Sequence, residues 1–146
     1  MILEIQKLSP QVPSPKYATS NSAAFDLVNA SGFMIAIHPR EIKVIPTGIA
    51  VKLPQQTAGL VTPRSGKSIS GFSVNNSPGI IDSDYRDEVK VIAVNTGNNI
   101  VYIDPLERIA QFMVVPYIKC ELKEVENISE DDFENERKGG LGSTGK

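Results

Sequence analysis

The stretch GIIDSDYRDEV, residues 79–89, sets Asp82, Asp84, Asp87 and Glu88 around one tyrosine and one arginine, directly after two isoleucines. A carboxylate delivered at the end of an apolar strand can hold and deprotonate a water molecule. Asp and Ser also satisfy local backbone groups in turns, so Asp82 taken alone is equally an Asx-turn residue. Tyr85 is likewise either a ring packed on a ligand or a core aromatic. In TPRSGKS, residues 62–68, an arginine, a hydroxyl and an unhindered backbone stand side by side. That is a fair anion cradle, and equally a turn with an exposed arginine. GGLGSTG, residues 139–145, offers two hydroxyls and open N–H groups suited to phosphate oxygens. The pattern GxxxxGK[ST] of a nucleotide-binding P-loop is absent. Two further stretches, AAFDL (23–27) and ERIAQ (107–111), add the carboxylate of Asp26, the charge of Arg108 and the neutral amide of Gln111.

The elements that must position these groups read as strands. LEIQKL alternates, and FMIAIH, IKVIPTGIAVKL, EVKVIAVN, NIVYI and AQFMVVPYI are rich in β-branched residues. Ten prolines and eleven glycines punctuate the runs, a pattern of sandwiches and barrels. Only SGKSIS, residues 65–70, suits a helical turn. The composition changes near residue 121: eight acids fall between Glu121 and Glu136, and the sequence ends RKGGLGSTGK. Such a segment buries too little apolar surface to order alone. The expected organisation is a β core over 1–120 and a flexible C-terminal arm over 121–146.

Bulk properties narrow the function. A chain of 146 residues makes one domain the default. A net charge of −2 supplies no field to gather nucleic acid and no polybasic patch for a membrane surface. No run approaches the roughly 20 apolar residues of a membrane span, and Glu4 and Lys7 interrupt the N-terminus where a signal peptide needs its apolar segment. A single cysteine, Cys120, excludes an internal disulfide and suits a reducing compartment. A cytoplasmic protein is expected, or a nuclear one in a eukaryotic or viral setting. One cysteine and one histidine leave no zinc site, and His38, before Pro39 at a turn, is given no role.

Together and in this order, the five stretches resemble the trimeric dUTPase family (deoxyuridine 5′-triphosphate nucleotidohydrolases). IHPREIKVIPTGIAVKLP, residues 37–54, is similar to the family's strand-turn-strand between its first two motifs, and the resemblance covers nearly the whole chain. It implies an all-β, jelly-roll-like β barrel assembled as a homotrimer, with three active sites at subunit boundaries and an arm that closes a neighbouring site. The implied reaction is dUTP plus water giving dUMP and pyrophosphate, which removes dUTP and supplies dUMP for thymidylate synthesis.

By this resemblance, Asp82 activates the attacking water. Mg2+ binds through the phosphate oxygens, with Asp26 acting through a retained water. Arg64, Ser65 and Gly66 grip the phosphate chain, and Gln111 adds a neutral donor. A hairpin over residues 76–85 reads uracil through Asn76 and the backbone near Gly79 and Ile81, while Tyr85 packs on the deoxyribose. From the arm, Arg137, Leu141, Gly142, Ser143 and Thr144 cover the base and the terminal phosphate. Arg108 is assigned to a structural ion pair.

The sequence departs from the family pattern in places. Leu141 stands where the arm commonly carries phenylalanine, and Arg137 lies four residues before it rather than five, so Lys138 is an alternative phosphate contact. Asp87 and Ala24 replace glycines. Two readings compete. A dCTP deaminase shares the fold but usually carries an RSS-like stretch, where this chain has RSG. A regulatory protein on the same fold would need partner surfaces, and only the acidic arm suggests one.

Overall fold

The structure, a computed structural model, describes residues 1–127. In chain order its elements are β1 (Glu4–Lys7), β2 (Ala24–Val28), β3 (Ile35–Ile37), β4 (Ile42–Lys52), β5 (Thr57–Pro63), α1 (Ser65–Ile69), β6 (Phe72–Val74), β7 (Gly79–Ile81), β8 (Glu88–Asn95), β9 (Val101–Ile103) and β10 (Arg108–Pro116). The fold is all-β and jelly-roll-like. Two four-stranded sheets, ordered β1-β4-β8-β6 and β2-β10-β5-β7, are accompanied by the pair β3-β9. These sheets do not close into one hydrogen-bonded cylinder. No helix among the described residues is long and apolar enough to cross a membrane.

The core is built by period-two alternation, since successive strand side chains face opposite sides. In β10 the sequence RIAQFMVVP buries Ala110 and Phe112 and leaves Gln111 between them only half-buried. In β2, Phe25 and Leu27 point inward and Asp26 does not. Phe112 stands opposite Phe25 on one side and Val61 on the other. The Phe25 and Phe112 rings stack with centroids 5.2 Å apart. Phe72, Ile45, Ile49, Val89, Val91 and Ile103 complete the interior from the other sheets.

β4 is long enough to serve two neighbours. Its first half pairs with β8 and its second with β1. Between Pro46 and Ala50 the register shifts; a proline, lacking an N–H, fits a sheet at such an irregularity. Gly48 takes φ of 68° there, and its N–H donates to Glu88 Oε1 at 2.7 Å. One acid of the opening stretch is therefore spent on architecture.

The segment expected to form a hairpin over 76–85 does not. β7, inside that segment, pairs with β5, while β6 and β8 on either side of the segment pair with each other in the other sheet. The correction matters for the site, because β7 becomes the edge of its sheet. Sequence patterning also passed over β2, β5 and β6 as strands; β6 has only three residues, and β5 carries Gly59 and two threonines.

Gly59 makes the tightest core contact. A Cβ there would meet Phe112 Cζ at 2.2 Å, and an aromatic ring locked between two strands cannot withdraw. Gly59→Ala is expected to lower the unfolding free energy by about 1–3 kcal/mol, the usual range for overpacking. Urea unfolding measures it; an unchanged midpoint would show that the ring has room to move.

Candidate active site

Strand register places one group of functional side chains. Gln111 is paired with Asp26 of β2 on one side and with Thr62 of β5 on the other. All three lie out of the core on one face of the β2-β10-β5 ladder. Arg64 follows β5 directly and turns back over this face. Its Nε lies 2.8 Å from Asp26 Oδ1, and Arg108 Nη1 lies 3.3 Å from Asp26 Oδ2. Arg64 Nη1 also donates to the Arg108 carbonyl at 3.3 Å. Asp26 is thus clamped between two guanidinium groups.

The clamp is imperfect in an informative way. Despite the short ionic contact, neither Asp26 Oδ1 nor Arg64 Nε has an aligned hydrogen-bond partner, and both atoms are buried. A buried polar atom without a directed partner costs free energy that an incoming ligand or water can recover. Asp26 lines a cavity of about 260 Å³ together with Lys16, Ser22, Ala24 and Gln111, and a second of about 310 Å³ together with Lys16, Leu106 and Arg108.

α1 carries the anion-cradle stretch. Arg64 is its N-cap residue, and the Lys67 and Ser68 N–H groups both donate to the Arg64 carbonyl at 3.0 Å. The N–H groups of Ser65 and Gly66 belong to the first turn, where no carbonyl lies four residues back within the helix. Both residues are exposed. A Cβ on Gly66 would touch nothing within 4 Å, so internal packing does not require that glycine.

Lys67 reaches from α1 to Glu107 at the start of β10. The other Glu107 oxygen accepts the Asp104 N–H at 2.9 Å. Partial burial pushes the Glu107 carboxyl up, but the Lys67 hydrogen bond, the Asp104 N–H and the charges of Lys67 and Arg64 together hold it below its ordinary 4.5. Lys67 and Glu107 both lie in stretches singled out by sequence, yet received no role there; the signal was a lysine three residues after Arg64 and an acid beside Arg108. Arg108, assigned to an ion pair by sequence, makes it with Asp26.

A second group gathers at β7. Gly79 is buried, and a Cβ there would meet Asn76 Nδ2 at 3.1 Å and Val61 Cβ at 3.5 Å. Ile81 is half-buried and ends the strand. The turn that follows is held by its backbone and by Arg86. The Tyr85 N–H donates to the Asp82 carbonyl at 3.2 Å, and Arg86 Nη1 donates to the Ser83 and Tyr85 carbonyls at 2.8 and 3.0 Å. Tyr85 is 36% exposed, and its hydroxyl donates to the Glu88 carbonyl at 3.0 Å. It is not a core aromatic. The Asp82 side chain is exposed and makes no hydrogen bond or ion pair among the described residues.

One chain does not bring the two groups together. Ile81 pairs with Gly59, five residues before Arg64 on β5. Asp82, one residue further along this antiparallel ladder, falls opposite Ala58, so at about 3.3 Å per residue it sits roughly 20 Å from Arg64 along the strand direction. Arg137, Leu141, Gly142, Ser143 and Thr144 lie outside the described residues. Among the described residues no cluster of three or more His, Cys, Asp or Glu side chains could cage a metal ion.

Residues 11–145 match the family model described as dUTPase. Among curated proteins, the deoxyuridine 5′-triphosphate nucleotidohydrolase of Wolbachia sp. subsp. Brugia malayi is 42% identical over 99% of this chain and 94% of its own length. The dUTPase of Staphylococcus bacteriophage 80alpha, solved with dUPNHPP, superposes with a TM-score of 0.84 at 26% identity, covering 99% of this chain and 98% of that one. The dUTPase from phage phi11 of S. aureus, in a D95N form solved for the coordination of a structural Mg(II) ion, has a TM-score of 0.79 at 23% identity, covering 88% of this chain and 99% of that one.

Glu107 makes a pH prediction possible. Its carboxyl is lowered in the folded chain, so its stabilisation is present above its unfolded value and lost as pH falls through the folded value. Glu107→Gln is therefore expected to unfold more easily than the parent at pH 7, with the two converging below about pH 4. Urea titrations from pH 3 to 7 check this; a constant gap across that range contradicts it.

Proposed function

The chain belongs to the dUTPase family, and from that premise we propose how its residues divide the hydrolysis of dUTP to dUMP and pyrophosphate. The family is trimeric and its reaction uses a divalent metal; the reading here is a homotrimer of this chain using Mg2+. The observation that carries the assignment is the Asp82 carboxylate, which is exposed directly after the edge strand β7 and has no hydrogen-bond or ion-pair partner among the described residues. A carboxylate so held can accept a proton from a water molecule and fix its line of approach to the α-phosphorus, and positioning of this kind removes several kcal/mol of barrier.

Phosphate recognition is assigned to the other group. Arg64 supplies a bidentate cation, Ser65 a hydroxyl, Ser65 and Gly66 their first-turn N–H groups, and Gln111 a neutral donor. An incoming polyanion draws Arg64 toward itself, which the misaligned contact with Asp26 favours. The same feature bears on the metal. Among the described residues, Asp26 Oδ1 lacks an aligned donor and no carboxylate cage surrounds it. These residues fit a cation held chiefly by phosphate oxygens and water, with Asp26 accepting from one of its waters, as hard and reluctantly dehydrated Mg2+ prefers. When bound, it would neutralise phosphate charge.

Because Asp82 and Arg64 are too far apart on one chain, a complete site takes the two groups from different copies. That separation supports the homotrimer with shared sites. Residues 121–146 are assigned as the arm that closes a site, bringing Leu141 over the base, Gly142, Ser143 and Thr144 to the phosphates, and Arg137 or Lys138 as an added cation. Closure excludes water and strengthens each charged contact.

Base selection follows from the edge position of β7. Gly79 and Ile81, two residues apart, present their N–H and C=O to the same edge of the strand. Uracil offers a donor between two acceptors and can pair with such a row, joined by Asn76. Cytosine would leave polar groups facing like groups unpaired, a steep penalty in a buried site. The close approach leaves no room for the methyl of thymine. Tyr85, tied by its hydroxyl to the Glu88 carbonyl, is held where its ring can fill the place of a 2′-hydroxyl.

Pyrophosphate release with dUTP, dTTP, dCTP and UTP plus Mg2+ tests the reading. Only dUTP should turn over well, and Asp82→Asn should still bind dUTP while losing at least about a hundredfold in kcat. Brisk hydrolysis by Asp82→Asn removes the proposed base, and ammonia release from dCTP points to a deaminase. Gly66→Ala separates folding from binding. The new methyl meets open space and alanine favours a helix by up to about 1 kcal/mol, so the melting temperature should hold or rise while KM for dUTP increases. An unchanged KM would mean that phosphate does not approach this backbone.

A further inference from the structure

Helix α1 presents the Ser65 and Gly66 N–H groups, yet none of its side chains is buried. Five residues cannot sustain a helix in water unaided, so the place of this turn is set by what grips it from outside. Its C-terminal end is continuous with backbone bonds, Gly71 N–H to Ser68 carbonyl at 3.1 Å and Thr96 N–H to Gly71 carbonyl at 2.8 Å. Its N-terminal end has two side-chain ties across to β10, the long bond from Arg64 Nη1 to the Arg108 carbonyl and the bridge from Lys67 to Glu107. The first is offered by a residue that substrate must recruit. Only the second is independent of the ligand.

Glu107 is the fixed end of that bridge. One carboxylate oxygen accepts from Lys67 and the other from the Asp104 N–H. Its carbonyl accepts the N–H of fully buried Asn29 at 2.9 Å, while the Asn29 side-chain amide donates to the Asp104 carbonyl at 3.1 Å. The turn 104–107 is thus pinned to the core. Lys67 is the end that travels with α1, and its side chain is 18% exposed against 31% for Glu107. Both are better shielded than the exposed pairs whose contribution is usually negligible.

We propose that the Lys67–Glu107 bridge is a positioning device for the polyphosphate: it holds the first turn of α1 at the height where Ser65 and Gly66 meet the phosphate chain, without itself touching substrate. The inference rests on the phosphate assignment above. It makes Lys67 and Glu107 positioning residues whose removal weakens what the β- and γ-phosphates add to binding, while uracil recognition at β7 and the Asp82-activated water are left as they are.

The test compares Lys67→Met, Glu107→Gln and the exchanged pair Lys67→Glu with Glu107→Lys. Each is measured by steady-state hydrolysis of dUTP, by calorimetry with α,β-imido-dUTP and with dUMP, and by thermal melting. Each single variant should raise KM and weaken the imido analogue roughly three- to tenfold, the scale of a shielded ion pair, with kcat and dUMP affinity within about twofold. The exchanged pair should recover most of the lost affinity. Unchanged KM in both single variants overturns the proposal. Equal weakening of dUMP and the imido analogue overturns it too, since that marks general loosening. An exchanged pair that folds but stays weak shows instead that Lys67 contacts phosphate directly. Turnover of dUTP by the parent, recorded alongside, tests the function itself, so the two failures cannot be confused.

Discussion

The pairing of β10 with β2 and β5 fixes which residues can do chemistry. Because strand side chains alternate, the same register that drives Phe112 between Phe25 and Val61 must turn Gln111 outward between Asp26 and Thr62. A slip of one residue would send the amide and the carboxylate into the core and the rings into water. Core packing and ligand recognition therefore share one constraint. The stack of Phe25 on Phe112, the absence of a side chain at Gly59, and the Asp26 clamp are three expressions of it.

Charge is arranged around this scaffold with a surplus of cations. Asp26 faces Arg64 and Arg108, and Glu107 faces Lys67 with Arg64 nearby. Two carboxylates hold three cations in place, and neither fully satisfies Arg64. Such a cluster is pre-organised for a polyanion, because the cations are already gathered and partly desolvated. At the other end of β5 the situation is reversed: acids predominate, and Asp82 has no ion-pair partner among the described residues. In the proposed reading the first end meets the phosphate chain and the second supplies the carboxylate that directs the attacking water.

Much of this was legible in the sequence, for identifiable reasons. Alternation and β-branched runs announced β1, β3, β4, β8, β9 and β10, and SGKSIS announced α1. Ile80-Ile81 announced β7, whereas β6 was missed because Phe72–Val74 lies between SGKSISG and NNSPG, both of which read as turn. The hairpin expected over 76–85 followed from proximity in sequence, which says nothing about a chain that crosses from one sheet to the other. The functional stretches stood out by residue type, and Asp26, Arg64 and Gln111 do meet. The Lys67–Glu107 bridge was invisible because its partners are distant in sequence, and opposite charges are too common for their pairing to be read without a fold. The alternative of Tyr85 as a core aromatic was settled only by its exposure and by the Glu88 carbonyl it binds.

The shortness of β7 carries a consequence of its own. An unpaired sheet border invites other polypeptides to add to it, and natural proteins usually blunt such borders. Three residues span only about 10 Å, which gives an intruding strand too few bonds to stay. The short edge on which the proposed uracil contact rests thus also resists the addition of a foreign strand.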